Sequence, residues 1–323
     1  MQISSYRQSK APRPSEPDLQ TSHGSTQPTL SFLAAFVALV IGAIAMGVSP
    51  VFVRYAEVGP FASAFWRVAT ALPLLALWMA YEMRSSAGID TSIKASPKAA
   101  IADKAVWLAG LFFAGDLFFW HLAIMNTTIA NATLLSCLAP VWVLLLSGTF
   151  IGEPVGRAAM LGLGLCLGGS ALLIGSSYSI APDRLMGDIY GLITSIFFGL
   201  YFLAVRVARR RYGTGTLTLN SGIITAATLF LVTILSGQGL WPTTGLGLAA
   251  LIALGVISHV GGQGLLALAL GSLSATFSSL VIFIEALAAA LFGWLVFSEI
   301  LTPLQGLGGL FIMAGIWIAR PKS

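Results

Sequence analysis

Residues 47–56, GVSPVFVRYA, and residues 199–208, GLYFLAVRVA, read as one element written twice. Gly47 pairs with Gly199, Val53 with Val205, Arg54 with Arg206 and Ala56 with Ala208, each 152 residues apart. Further along, Leu134 and Leu280, Leu145 and Leu291, Glu153 and Glu299, Leu161 and Leu307, Gly162 and Gly308, and Gly169 and Gly315 recur at a spacing of 146. Leucine and glycine matches come cheaply in this composition. Acidic ones do not, because Asp and Glu together number 12 in 323 residues. The chain reads as a duplication, and duplication of a hydrophobic chain points to transport.

Charged residues make up 9% of the chain and hydrophobic ones 57%, against about 25% and about 45–50% in soluble domains. The expectation is an all-α integral membrane protein. A helix crosses the ~30 Å hydrocarbon core with about 20 apolar residues, and it satisfies its own backbone polar groups on the way. Ten stretches meet this description, near 31–53, 60–81, 105–125, 128–150, 157–177, 185–205, 215–236, 245–268, 275–298 and 303–319. Residues 1–30 are polar and rich in Ser, Pro, Gln and Thr, and are expected to be a disordered cytoplasmic tail. The loop RSSAGIDTSIKASPKAA, 84–100, is expected to be equally solvated.

A net charge of +5 invites a nucleic-acid reading, but the placement of the basic residues explains it differently. With the N-terminus inside, 14 of the 17 Lys and Arg residues fall on the cytoplasmic side, Arg54 and Arg184 fall outside, and Arg67 lies within the membrane. The positive-inside rule therefore predicts cytoplasmic N- and C-termini in a cell, or inner, membrane. No nucleic-acid partner is expected. Cys137 and Cys166 both fall in apolar segments at a spacing that fits no zinc or redox pattern. No metal or cofactor is expected either.

Five helices per copy start the second copy on the opposite face of the membrane. The predicted architecture is two inverted five-helix repeats, 31–177 and 185–320. Two such halves supply inward-open and outward-open states of similar energy, the basis of alternating access. Pro50, Pro73 and Pro140 lie inside predicted helices, where each removes a hydrogen bond and invites a kink. Gly164 and Gly168, and Gly187 and Gly191, have the spacing that permits close helix packing.

The segments NATLLSCLAPVWVLLLSGTFIGEPV (131–155) and SATFSSLVIFIEALAAALFGWLVFSEIL (274–301), each followed by a glycine-rich last helix, resemble the two halves of EamA-type transporters of the drug/metabolite transporter superfamily. The resemblance spans roughly residues 31–320 and includes the paired Gly-Glu and Ser-Glu helix ends and the arginine of the second helix. It implies a ten-helix bundle, a central cavity lined mainly by the first four helices of each repeat, and export of amino acids or related small metabolites. One departure stands out. The second copy reads Glu285-Ala286 where the family usually has a Glu-Pro pair, which implies a straighter ninth helix.

An ionisable group inside a span costs at least about 2.5–3.5 kcal/mol on insertion scales, so each one calls for a partner, a wet cavity or a function. Asp116 and Glu285, near the middles of helices three and nine, are the leading candidates for substrate binding or proton coupling. Arg67 is the one deep cation, suited to pairing with a carboxylate of the protein or of a substrate. His259 and Gln263, four apart in helix eight, share a face with Gly255. Trp120, at i+4 from Asp116, should face the same cavity, whereas His121 should not. Tyr201 and Asn131 complete the set, Asn131 also being suited to a hydrogen bond between helices. Glu153 and Glu299 read as structural groups at span ends.

The favoured function is a secondary transporter for a small polar metabolite, zwitterionic or cationic because two deep carboxylates face one deep arginine. Energy coupling stays open between proton exchange, substrate exchange and downhill leak, protons being the candidate coupling ion. Membrane lipid and, in a homodimer, a second copy are the other expected partners. A membrane-embedded enzyme is the poorer reading, since no HExxH, GxSxG or P-loop GxxxxGK[ST] is present. A non-transporting sensor or assembly protein on a transporter fold would keep the repeat without needing Asp116 or Glu285.

Overall fold

The computed structural model describes residues 30–85, 97–127, 129–174, 182–297 and 302–321. Of the expected tail only Leu30 falls among them, and Glu299 lies outside them. Every regular element among the described residues is helical, and they contain no strand. Eight helical units are long and apolar enough to cross a membrane: Phe32–Tyr55, Pro60–Ser85, Lys104–Asn126, Asn131–Ile151, Pro182–Arg209, Thr214–Leu235, Gly245–Ala269 and Ala275–Val296. The fifth and tenth expected spans appear as the shorter apolar helices Arg157–Leu173 and Pro303–Ala319. At about 1.5 Å per residue, a helix of 17 residues reaches about 25 Å, short of the about 30 Å core.

Large apolar side chains cover the outside of this bundle. Leu33, Leu77, Leu145, Phe150, Leu231, Leu310 and Trp317 are each more than half exposed. In water such a surface would aggregate, whereas in a bilayer it is the surface that lipid solvates. The protein is a multi-pass membrane protein.

Helix starts follow local capping chemistry. The side chains of Ser31, Asp103, Thr244, Ser274 and Thr302 each accept a hydrogen bond from a backbone N–H of the first helical turn. Gly152 ends its helix at φ 69°, a left-handed conformation that glycine adopts without steric cost.

Four of the long units are interrupted. Helix α1 (Phe32–Gly47) gives way to α2 (Ser49–Tyr55), and α3 (Pro60–Ala69) to α4 (Leu72–Ser85). After the single turn α5 (Pro97–Ala100) and the continuous α6 (Lys104–Asn126), α7 (Ile129–Ser136) gives way to α8 (Ala139–Ile151). Pro50, Pro73 and Pro140 are each the second residue of the later piece. There the missing N–H deprives no carbonyl of its partner, because first-turn donors have none within the helix.

The remaining helices are α9 (Arg157–Ile174), α10 (Leu185–Arg209), α11 (Thr214–Leu235), α12 (Gly245–Ala253), a π-helical stretch Leu254–Gly264, α13 (Leu265–Ala269), α14 (Ala275–Val281), α15 (Phe283–Phe297) and α16 (Pro303–Ala319). The straighter ninth helix expected from Glu285-Ala286 is not what forms. The chain breaks between α14 and α15 at Ile282, and the Glu285 N–H donates to the Ile282 carbonyl three residues back at 2.8 Å. A tightened turn interrupts the helix here without proline.

Helix α10 packs along α6, α7 and α8, while α1 packs against the π-helical stretch, α13 and α15. Helix α11 lies against α3, α4 and α6, and α9 pairs chiefly with α16. The α9–α16 crossing is glycine on glycine. A methyl group added to Gly169 would lie 2.5 Å from the Gly308 carbonyl oxygen, and one on Gly162 would lie 2.6 Å from that of Gly315. The spacing-based expectation divides: Gly187 and Gly191 lie against the chain at Asn126–Thr127 and at Leu135, but Gly164 and Gly168 face open space.

Candidate functional site

A cavity of ≈ 410 Å³ occupies the middle of the bundle and extends toward one end of it. Three helix interruptions border it: Gly47 and Ser49 flank the first, Cys137 and Ala139 the second, and Ile282 and Phe283 the third. Interrupted helices occur at membrane depth where irregular backbone lines a cavity. Arg54, Leu173, Gly293 and Gln305 line it toward the ends of α2, α9, α15 and the start of α16, which marks the direction in which it extends.

Arg67, Asp116, Glu285, Gln263 and Trp120 all line this cavity. Arg67 and Asp116 are each 8% exposed, and Glu285 is half-buried. Arg67 is within Coulombic reach of Glu285 and, more weakly, of Asp116. Yet no ion pair of 4 Å or less joins the three, the described ion pairs being Arg206 and Arg210 with Glu153 and Arg211 with Asp103. Arg67 Nε and Gln263 Oε1 are buried without a hydrogen-bond partner. A buried polar atom left unpaired costs about 1–3 kcal/mol. The cavity is thus an electrostatic frame whose charges face space rather than one another.

The other expected residues stand elsewhere. Tyr201 and His259 line a separate, much smaller cavity, which Gln263 borders as well. His259 and Gln263 belong to the π-helical stretch rather than an α-helix, and Gly255, expected beside them on the cavity wall, instead admits the Thr70 side chain. Asn131, fully buried, donates to Asp188 Oδ1 at 3.0 Å alongside Thr127 at 2.8 Å, a contact between α7 and α10 away from either cavity. His121 faces away from Asp116, with Nδ1 2.5 Å from the Leu117 carbonyl.

Several lining residues had not been singled out, among them Ser49, Thr133, Ser136, Thr194 and Gln305. Cys137, expected to be an inert hydrophobe, lines the cavity and is half-buried. No motif marks these side chains, since small hydroxyls are common in membrane helices.

The opposite end of the bundle is closed by a charged cluster. Glu153 Oε1 accepts from Arg206 Nε at 2.5 Å and lies 3.9 Å from Arg210, while Oε2 accepts from the Ala275 N–H at 2.8 Å. Arg206 also donates to the Leu270 carbonyl at 2.6 Å, and Arg210 to that of Ile151 at 2.7 Å. One carboxylate thus ties the ends of α8 and α10 to the start of α14. Both partners appear in the repeat pattern, but as separate matches. Their pairing depends on the crossing of α8 and α10, which no spacing in the sequence encodes.

The EamA-like transporter family model matches residues 33–175 and again 185–320. The chain belongs to that family. An uncharacterized transporter of Archaeoglobus fulgidus is 32% identical over 61% of this chain and 69% of its own length. A pseudopaline exporter of Pseudomonas aeruginosa is 29% identical over 62% of this chain and 69% of its own. A solved structure, described only as the crystal structure of a protein, superposes with a TM-score of 0.71 at 19% identity, covering 88% of this chain and 97% of that one. At that identity the likeness speaks of fold alone. As an EamA-like transporter this protein acts on a small-molecule substrate within a lipid membrane. Family and relatives alike point to transport rather than catalysis.

Proposed function

We propose that this EamA-like transporter exports a small zwitterionic or cationic metabolite, of the amino-acid type, by alternating access, with protons as the coupling ion. The observation that carries the reading is the central cavity. Its volume of ≈ 410 Å³ is within the about 300–1,000 Å³ of small-molecule sites. Glu285 and Asp116 would receive the substrate ammonium, Arg67 its carboxylate, and Trp120 and Gln263 its remaining surface. Outward direction draws support from the name of the Pseudomonas relative.

Ten spans in two inverted repeats, 31–177 and 185–320, with both termini cytoplasmic in the inner membrane, complete the proposal. Helix contacts support it, because they come in repeat-related pairs. Gly47 approaches Glu285 and Ala288 just as Gly199 approaches Ala139 and Trp142, and Gly110 approaches Ser221 much as Gly255 approaches Thr70. In this orientation the cavity extends outward and the Glu153 cluster closes the cytoplasmic side.

The test is uptake of a mixed pool of amino acids and nucleosides into inside-out vesicles, with and without a proton gradient, by the native protein and by Glu285→Gln. Gradient-dependent uptake that the variant loses supports the proposal. Uptake that is equal in the two proteins removes Glu285 from it, and no uptake at all by well-folded protein favours a non-transporting role.

A further inference from the structure

A second cavity, of ≈ 10 Å³, lies toward the Glu153 end of the bundle, with Phe113, Tyr201, Thr218, Ser221, His259 and Gln263 among its walls. A space of about 10–15 Å³ is the least that holds one water. Gln263 borders both cavities, and Phe113 borders only the small one while carrying the Arg67 guanidinium 6.0 Å from its ring centroid. The partition between the two spaces is therefore about one side chain thick.

Polar atoms in this pocket are arranged in a way that a packed interior does not require. His259 Nδ1 and Gln263 Oε1 are buried without partners, in side chains 5% and 3% exposed. Both ride on the π-helical stretch, a geometry that recurs at functional sites because the wider turn redirects side chains. The hydroxyls of Thr218, Ser221 and Thr225 each donate to a carbonyl of the preceding turn, at 2.8, 2.9 and 3.0 Å, Thr225 reaching the Gly110 carbonyl as well. Their protons being committed, these oxygens offer lone pairs to the cavity. With Thr214, whose buried Oγ1 also lacks a partner, they fall at i, i+4, i+7 and i+11, one face of α11. That stripe spans about 16 Å along α11, Thr218, Ser221 and Thr225 lining the pocket itself and Thr214 lying about 6 Å beyond it at the start of the helix.

We propose that this pocket, with the hydroxyl face of α11 that walls it and continues to Thr214, forms the inner half of the translocation route, collapsed in this state to a single water site. When the Glu153 side opens, the pocket widens and passes a hydrogen-bond donor, such as a substrate ammonium, along an acceptor-lined path. The inference rests on the alternating-access reading. The competing path runs between α8 and α14, where Ser147 faces Thr276 and the Ser278 hydroxyl is buried without a partner.

Single-cysteine proteins in oriented membrane vesicles separate these cases. The first keeps Cys137 with Cys166→Ala. The others carry Cys137→Ala and Cys166→Ala together with Ser221→Cys, Thr218→Cys or Ser278→Cys. A charged, membrane-impermeant thiol reagent is applied to either face, and gel filtration verifies folding. Cys137 should react from one face, and the Ser221→Cys and Thr218→Cys variants about tenfold or more faster from the other, the ratio expected of two alternating states. Reaction of Ser278→Cys from that second face, with Ser221→Cys and Thr218→Cys silent, overturns the route but leaves alternating access standing. Silence of all three inner cysteines overturns both.

Discussion

On the alternating-access reading, removing the charge of Glu153 should release the closed end of the transporter. Glu153→Gln keeps an oxygen to accept from the Ala275 N–H but loses the attraction to Arg206 at 2.5 Å and Arg210 at 3.9 Å. At an effective dielectric of about 20, the shorter contact is worth about 7 kcal/mol of gross Coulomb energy. Most of that is offset by the desolvation of two side chains only 15% and 20% exposed. A net of about 1.5–3 kcal/mol, the range for hydrogen bonds to charged groups, remains. The closed-end state should therefore lose about tenfold to a hundredfold of its population advantage.

The assay is labelling of Cys137, with Cys166→Ala, from the Glu153 face of oriented vesicles. Because reaction from that face reports the minor state, its rate should rise by the same factor in Glu153→Gln and in Arg206→Ala. The double variant should add little to either, since both remove one interaction. Arg211→Gln is the control. Its pair with Asp103 at 3.2 Å involves an Arg211 side chain that is 68% exposed, so less than a fivefold change is expected for a pair worth about 0–1 kcal/mol. An unchanged rate in both Glu153→Gln and Arg206→Ala, with folding intact, would refute the latch.

Three further outcomes follow from other contacts. Gly169→Ala should lower the melting temperature in detergent, as overpacking against the Gly308 carbonyl costs about 1–3 kcal/mol, whereas Gly164→Ala, which meets nothing within 4 Å, should raise it slightly. Glu57 is held at φ 53° and accepts from Thr244 Oγ1 at 2.8 Å, Thr243 Oγ1 at 3.0 Å and the Thr244 N–H at 3.1 Å. The Thr244 and then the Thr243 side-chain bonds hold its carboxyl below the usual 4.5. A depressed carboxyl stabilises above its unfolded value and loses that contribution as pH falls through the folded one. Protection from hydrogen exchange at residues 243–247, taken relative to the intrinsic rate at each pH, should thus fall as pH drops below 4.5, and Glu57→Gln should flatten that dependence. Arg67→Lys should retain folding but weaken transport of carboxylate-bearing substrates, because an ammonium cannot reproduce the guanidinium fork.

How far the sequence carried the reading differs from one residue to the next. Hydrophobic runs located the helices, since about 20 apolar residues leave little else to form. Asp116 with Trp120, and His121 turned away, followed from helical spacing alone. Interruptions at proline were legible, but the one at Ile282 was not, because a tightened turn carries no residue signature. Likewise nothing in LGVISHVGGQG announced a π-helix, so His259 was expected on a cavity wall with Gln263 and Gly255 in an ordinary α-helix. Asn131 was ambiguous between cavity and helix contact, and Asp188, which decides it, lies 57 residues away on another helix. Contacts set by how helices cross are tertiary facts, and periodicity within one helix does not contain them.

The contacts repeat between halves, but the chemistry does not. Gly47 lies against the backbone at Glu285, and its repeat mate Gly199 lies against Ala139, the residue 146 positions before Glu285. One half thus presents a carboxylate at its helix interruption and the other a methyl group. At the same spacing, Gln263 corresponds to Leu117 and Glu153 to Glu299. On the alternating-access reading this division is what the two tasks demand. Exchange between states requires each packing contact to have a counterpart of similar energy, so the close glycine approaches are duplicated. Recognition of one asymmetric molecule requires charges placed once, so the carboxylate beside the cavity is not. Ala139→Glu should then add a third acidic group to the cavity, across from Glu285 and alongside Asp116, with Arg67 still the one deep cation among them. Transport should shift toward more highly cationic substrates, as read by competition between lysine and alanine. An unchanged preference would place the substrate away from the interruptions.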